Sequence, residues 1–298
     1  MFIVKYRTFF FVFSGLLVAA SIASLVMFGL RLGIDFTGGT LVKVSYTALP
    51  DKSAIEAALA PMGLGDYSVR QEGDKTLSVR TRPTTADEQS AIIAAISPAD
   101  SGAHVEQVSA IGPTIGKELR TKSLLSVVLV ILAIILYISF AFRKVSKPVS
   151  SWIYGGAAVV GLIHNVLIPI GVFTLLGHFA GTEVDTLFVA ALLTILGFSV
   201  HDTIVVFDRV RENLRLNDAK NAKEDFEITV GKSLRQTYVR SINTSLTVVV
   251  VLLTLFFLGG ASTEDFTLAL LIGVVAGTYS SLCLASPLLV AWERMRHQ

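Results

Sequence analysis

Apolar residues in this chain gather into runs far longer than a core helix or strand needs. Crossing a bilayer takes about 20 mostly apolar residues in a helix. Six segments reach that length or approach it: Phe9 to Leu30, Leu124 to Phe142, Trp152 to Leu176, Thr186 to Phe207, Ile242 to Leu258 and Phe266 to Trp292. Lipid offers no partner to a backbone N–H or C=O, so each is expected to be helical. The first reads as an uncleaved signal-anchor helix. A removed signal peptide is the alternative, with Lys5 and Arg7 ahead of the run and Ser21-Ile22-Ala23 as a poor cleavage site. The run continues to Leu30, too long for a typical signal core.

Between the first two runs the pattern shortens to strand and helix periods. Thr40 to Tyr46 alternates, with Val42 and Val44 on one face. Pro50-Asp51 opens a helix with Ile55, Leu59 and Met62 on one stripe, and Gly63 and Gly65 stop it. Tyr67 to Gln71 and Thr76 to Arg82 are short strands joined by a turn at Glu72-Gly73-Asp74-Lys75. Pro83 to Ser97 is a second helix with Ile92, Ile93 and Ile96 inward, and His104 to Ala110 a last strand. The order β-α-β-β-α-β is the ferredoxin-like split motif. The expected fold class is therefore an α-helical membrane protein of six transmembrane helices, with one ferredoxin-like α+β domain between helices 1 and 2. The expected divisions are a first membrane helix over 1–30, the small domain over 31–122, and a five-helix region over 123–298 with a loop at 208–240.

Composition agrees with the runs. Of 298 residues, 52% are hydrophobic and only 16% charged, with a mean hydropathy of +0.66, well beyond a soluble domain. The net charge of +2 is too small to argue for a nucleic-acid partner. The basic residues instead follow a topology. Lys5 and Arg7 precede the first run; Arg143, Lys144 and Lys147 lie between the second and third. Arg209, Arg211, Arg215, Lys220, Lys223, Lys232, Arg235 and Arg240 lie between the fourth and fifth, and Arg294 and Arg296 follow the sixth. Gly177 to Asp185 and Gly259 to Asp265 carry acids and no Lys or Arg. Both termini are thus expected in the cytoplasm and residues 31–122 in the periplasm. The one cysteine, Cys283, sits in an apolar run, and no Cys/His set has metal-ligand spacing.

An acid or base in mid-membrane costs roughly 2.5–3.5 kcal/mol, which makes it a functional candidate. The fourth run holds Ser199, His201, Asp202 and Thr203. Asp202 lies about one and a half turns inside the edge marked by Asp208 and Arg209. The alternative is an acid that snorkels to water, but Asp is short for that reach. A carboxylate in an apolar site that water visits can gain and lose a proton as a cation leaves and approaches, as a proton carrier must. The natural cation is Arg240, opening the fifth run at the same depth, with Asn243, Thr244 and Thr247 after it at helical spacing. An ordinary positive-inside anchor is an equal reading of Arg240. Ser199 and Thr203 share the face of Asp202, whereas His201 is about 100° around the helix. His201, His164 and Asn165 read as interhelical hydrogen-bonding groups, and Gly155, Gly156, Gly161, Gly273 and Gly277 as close helix contacts. Gly231-Lys232-Ser233 is no P-loop, because Phe226 stands where the earlier glycine belongs. No H-E-x-x-H, G-x-S-x-G or kinase signature is present, so an enzyme is not expected, nor a cofactor.

Gly33-Ile34-Asp35-Phe36-Thr37-Gly38-Gly39-Thr40, after the first run, resembles the opening motif of the SecD/SecF family of the bacterial Sec translocase. Gly112-Pro113-Thr114-Ile115-Gly116-Lys117-Glu118-Leu119 is similar to that family's closing motif. The stretch from Asp202-Thr203-Ile204-Val205-Val206-Phe207-Asp208 to Asn213 resembles the fourth-helix signature of SecF. Arg240-Ser241-Ile242-Asn243-Thr244-Ser245 and Phe257-Leu258-Gly259-Gly260 resemble its fifth helix. The small outer domain suits SecF better than SecD. The resemblance implies a fold shared with resistance-nodulation-division exporters, pairing with SecD, and association with the SecYEG channel. It also implies use of the proton motive force to help complete export of unfolded protein across the inner membrane. The family's proton-linked Asp and Arg fall on Asp202 and Arg240. Two positions depart from its pattern: Asn165, where an Asp often follows the His, and His201, where an Asn often precedes the Asp. Neither is given a proton role by analogy. The rival readings are a proton-driven small-molecule exporter of related fold and a purely structural subunit that stabilises SecD.

Overall fold

The computed structural model describes residues 2–73, 75–97, 102–141, 151–222 and 224–297. Arg143, Lys144 and Lys147, the end of the second run at Phe142, and Asp74 of the expected turn lie outside them. Among the described residues six helices are long and apolar enough to cross a membrane.

After a helical turn, α1 (Phe2–Lys5), comes the first long helix, α2 (Arg7–Phe28). It stops where Gly29 adopts φ 68° and returns its N–H to the Leu25 carbonyl. A short α3 (Ile34–Thr37) leads into the sheet domain: β1 (Gly39–Ser45), α4 (Lys52–Leu59), β2 (Ser68–Glu72), β3 (Thr76–Thr81), α5 (Ala86–Ile96) and β4 (His104–Ile111). The sheet order is β2-β3-β1-β4, antiparallel throughout, which is the ferredoxin-like arrangement. Val42 pairs with Val79 and Val44 with Leu77. These face Ile55, Leu59, Ile92 and Ile96 in one apolar core, with Met62 and Ile93 at its margin. The helices start where short polar side chains satisfy the free N–H groups. Asp51 caps α4, and Thr85 with Glu88 forms a capping box on α5.

The two glycine-rich motifs meet each other. Gly38 and Gly39 have φ of 77° and 135°, and a Cβ on Gly39 would lie 2.7 Å from the Thr81 carbonyl. A Cβ on Gly116 would lie 2.8 Å from the Gly38 nitrogen. The chain thus enters and leaves the sheet domain through one tight junction that only glycine fits.

From that junction runs α6 (Pro113–Ala141), then α7 (Ser151–Phe179), α8 (Thr186–Ala219), α9 (Phe226–Leu258) and α10 (Ala261–Ser280). A π-helical turn over Ser281–Ala285 and α11 (Ser286–His297) complete the chain. The stretch expected as a loop at 208–240 is mostly helix, because α8 and α9 run past the apolar segments as a hairpin. Hydropathy marks only the part of a helix that suits lipid, and a helix in water keeps its own hydrogen bonds. Asn213 ties the hairpin by donating to Ser233 and Gln236. Helices α7, α8 and α10 form the packed centre, with half or more of their apolar stretches buried, against 6% for α6. Close approach is set at Gly273, where a Cβ would overlap Ile195 of α8. Arg7 and Arg294 both pair with Glu227 at one end of the bundle, and the sheet domain occupies the other.

Candidate functional site

Asp202 is 3% exposed, deep in α8. Its side chain lies against Ser241 and Ser245 of α9. Its Oδ2 makes no hydrogen bond, nor does the buried Ser241 hydroxyl. Ser245 accepts from Thr278 of α10 at 2.6 Å. On the neighbouring side of α8, Thr203 meets the Ser281 hydroxyl at 3.1 Å and donates to the Ser199 carbonyl at 3.0 Å. Ser199, 2% exposed, accepts from the Asn165 amide of α7, and Asn165 is bonded to the His164 ring at 3.0 Å. Four helices therefore supply one polar layer inside an otherwise apolar bundle.

Ser199 and Thr203 line this layer as their spacing predicts. Arg240 is close enough for its charge to act on Asp202, but it is exposed and makes no ion pair with it in this structure. Asn243, Thr244 and Thr247 are also exposed, and do not form the supporting face expected of them. Thr244 and Thr247 bond back to the carbonyls of Arg240 and Thr244. The reason is helical phase. Those residues share the face of Arg240, and the face about 100° on is the one that meets α8. That inner face carries Thr229, Ser233, Thr237, Ser241 and Ser245, all buried and each four residues apart. The repeat of small hydroxyl residues is legible in the sequence and is the signal that would have found Ser241 and Ser245. The small residues from Gly277 to Ser281 read in the sequence as helix-contact surface, and a π-helical turn there brings the Ser281 hydroxyl to Thr203 of α8. His201 is exposed, as its angle from Asp202 predicts.

The sheet domain grips the other end of α8. Asp35, from the glycine-rich opening motif, accepts from both the backbone N–H and the hydroxyl of Thr186 at 2.9 and 2.5 Å. Arg80 donates to Glu183 at 2.6 Å and to the Leu32 carbonyl at 3.2 Å. Arg70 donates to the Gly181 carbonyl and to Thr182. Asp185 caps α8 by accepting from Phe188 at 2.8 Å. Burial pushes the Asp185 carboxyl above its ordinary range, and the charge of Asp35 adds to that. Beside these contacts a polar cleft of about 840 Å³ separates the open face of the sheet from the helix ends.

A six-helix membrane bundle with a ferredoxin-like domain at one end and a buried carboxylate inside defines a class of membrane transport protein. Comparison with known sequences narrows it. Residues 91–295 match the family described as protein export membrane protein SecD/SecF, C-terminal, and residues 23–48 match the SecD/SecF GG motif. The protein translocase subunit SecF of Thermobaculum terrenum is 44% identical, over 98% of this chain and 93% of that one. The crystal structure of SecDF, a translocon-associated membrane protein from Thermus thermophilus, aligns with a TM-score of 0.84 at 30% identity. It covers 98% of this chain, which spans 38% of the SecDF length. A SecDF structure in a super-membrane-facing form, also 30% identical, aligns over 99% of this chain and 38% of its own with a TM-score of 0.65. The chain belongs to the SecD/SecF family of protein-export membrane proteins, on its SecF side. It is a multi-pass protein of the bacterial inner membrane.

Proposed function

We propose that this chain is an auxiliary subunit of the Sec translocase that works with SecD. In this reading it draws on the proton gradient to promote late stages of protein export. The observation that carries the reading is Asp202, a carboxylate buried among membrane helices with one oxygen unpaired and the Arg240 charge nearby. Gain of a proton removes its charge and loss restores it, so each change alters which packing of α8 against α9 is favoured. One charge crossing 100 mV supplies about 2.3 kcal/mol, enough to shift a two-state equilibrium by about fifty-fold.

The shift reaches the sheet domain along α8 itself. Asp202 lies about 24 Å down one continuous helix from Thr186, at 1.5 Å per residue. Thr186 is bonded to Asp35 at the root of that domain. This chain aligns with the two SecDF structures at TM-scores of 0.84 and 0.65, so their shapes over the matched region differ. In this reading residues 31–122 stand on the periplasmic side, where they meet the emerging unfolded chain. The basic bundle end, both termini and the 208–240 segment are cytoplasmic, and the SecYEG channel is the larger partner. The chain acts by binding and movement and not as an enzyme.

The test is gradient-driven completion of export in membrane vesicles carrying Asp202→Asn. Export is expected to lose its dependence on the proton gradient while chain levels hold. Normal gradient-driven export by that variant would sink the mechanism.

A further inference from the structure

One buried titratable side chain is left out of the reading above. His164 is 2% exposed in the middle of α7, and its Nε2 has no hydrogen-bond partner. Its other nitrogen, Nδ1, is 3.0 Å from the Asn165 side-chain oxygen. In this structure Asn165 Nδ2 donates to the Ser199 hydroxyl, which places the amide oxygen toward the ring. The Asn165 atom facing the ring is therefore the oxygen, which only accepts. With the amide so placed, His164 carries its proton on Nδ1, and the neutral ring holds a bare lone pair on Nε2. The Asn–Ser pair thus selects one tautomer, as an outer hydrogen bond selects the reactive nitrogen in histidine sites generally.

An unpaired buried acceptor is costly. An amide in its place could also donate to Asn165, but it would carry no group that takes up a proton near neutral pH. What the imidazole adds is the basic nitrogen. Among the described residues no carboxylate or cation acts on the ring from the helices packed around it. The titratable groups beside it belong to the last span: Tyr279, with its ring centroid 5.9 Å away, and Cys283 next to that phenol. The Tyr279 hydroxyl is already taken up by Ser14 and the Phe10 carbonyl. Pro169, lacking an N–H, leaves the Asn165 backbone carbonyl without its helical donor, which adds a polar atom at the same level.

We propose that His164 is a second proton-carrying group of the bundle, set in its reactive tautomer by Asn165 and Ser199. A hydronium reaching the layer gives its proton to the Nε2 lone pair, leaving water and an imidazolium. The imidazolium returns that proton to another water, while the Nδ1 proton stays on Asn165 throughout. The inference rests on the proton-driven reading of the bundle and adds a site to it. Asn165 and Ser199 are positioning residues for that site.

The test has two arms. In nitrogen-15 spectra of the histidine-labelled full chain in lipid bilayers, His164→Gln identifies the signal. Near neutral pH the native ring is expected to be protonated at Nδ1 and bare at Nε2, and on acidification toward about pH 5 it should gain the second proton reversibly. A ring protonated at Nε2 near neutral pH, or one that never gains the second proton, overturns the proposal. In vesicles, His164→Gln keeps a donor for Asn165 and is expected to slow gradient-driven export at least roughly tenfold. The same variant should flatten the export profile between about pH 5 and 8. Asn165→Leu, which keeps the ring and frees its tautomer, should flatten the profile likewise. A native profile in both variants overturns the proposal. Should Asp202→Asn leave export intact while the His164 results hold, the role given to Asp202 fails and that of His164 stands.

Discussion

Asp35 holds the first turn of the helix that carries Asp202: its carboxylate accepts from the Thr186 N–H at 2.9 Å and from the Thr186 hydroxyl. A carboxylate at a helix N-terminus meets unpaired N–H groups and the positive end of the helix dipole. Asp35 belongs to the opening motif and Thr186 to a helix that starts about 150 residues later, a separation bridged only by the fold. Removing both bonds with Asp35→Ala is expected to cost about 2 kcal/mol. Thermal unfolding in detergent measures that, and an unchanged midpoint would show that the contact carries no load. Asp35→Asn, whose one oxygen can accept the same two bonds without the charge, should fall between.

Arg240 is exposed on the side of α9 away from Ser241 and Ser245, so its charge acts on Asp202 across a gap. At such range the sign of the charge matters more than guanidinium geometry. Arg240→Lys is expected to keep at least about half of gradient-driven export and Arg240→Ala to lose roughly tenfold. Vesicle export with equal chain levels checks this. Equal loss in both variants would mean that a planar, paired guanidinium is required after all.

Gly39 has φ 135°, and any Cβ there would lie 2.7 Å from the Thr81 carbonyl. Gly39→Ala is expected to destabilise the junction by about 2 kcal/mol or more. Limited proteolysis of the sheet domain in the full chain is the measurement, and native resistance would refute the steric argument. Gly15, whose Cβ would meet nothing within 4 Å, is the control.

Glu88 is held well below the ordinary carboxylate range, at about 2, by the Arg82 guanidinium first and by its capping bond to Thr85. A depressed acid adds stability above its unfolded value near 4.5, and that stability is lost as pH falls toward 2. Glu88→Gln is therefore expected to flatten the decline in sheet-domain stability between those two values. Melting followed across that window, native against variant, checks it; parallel curves would remove Glu88 from the account. The pair is exposed, so the slope should also shrink at high salt.

The sequence by itself determined the six apolar helices, the β-α-β-β-α-β domain and the acid at position 202. Each depends on local quantities: the length of an apolar run, a period of two or of about 3.6, and the transfer cost of a charge. It also placed Ser199 and Thr203 beside Asp202, since one helix fixes its own faces. The tertiary structure decided between the two hydroxyl-bearing faces of α9, turning the Thr229 to Ser245 repeat inward and leaving Arg240, Asn243, Thr244 and Thr247 outside. A lipid-crossing helix with hydroxyl groups on several sides can be rotated without violating its own sequence. Its phase is chosen by packing against partners, at close contacts such as Gly273 on Ile195. The same holds for the grip of Asp35 on Thr186, the contact of Ser281 with Thr203 and the bond from Asn165 to Ser199. Each depends on atoms brought together from distant parts of the chain, and local pattern carries no record of them.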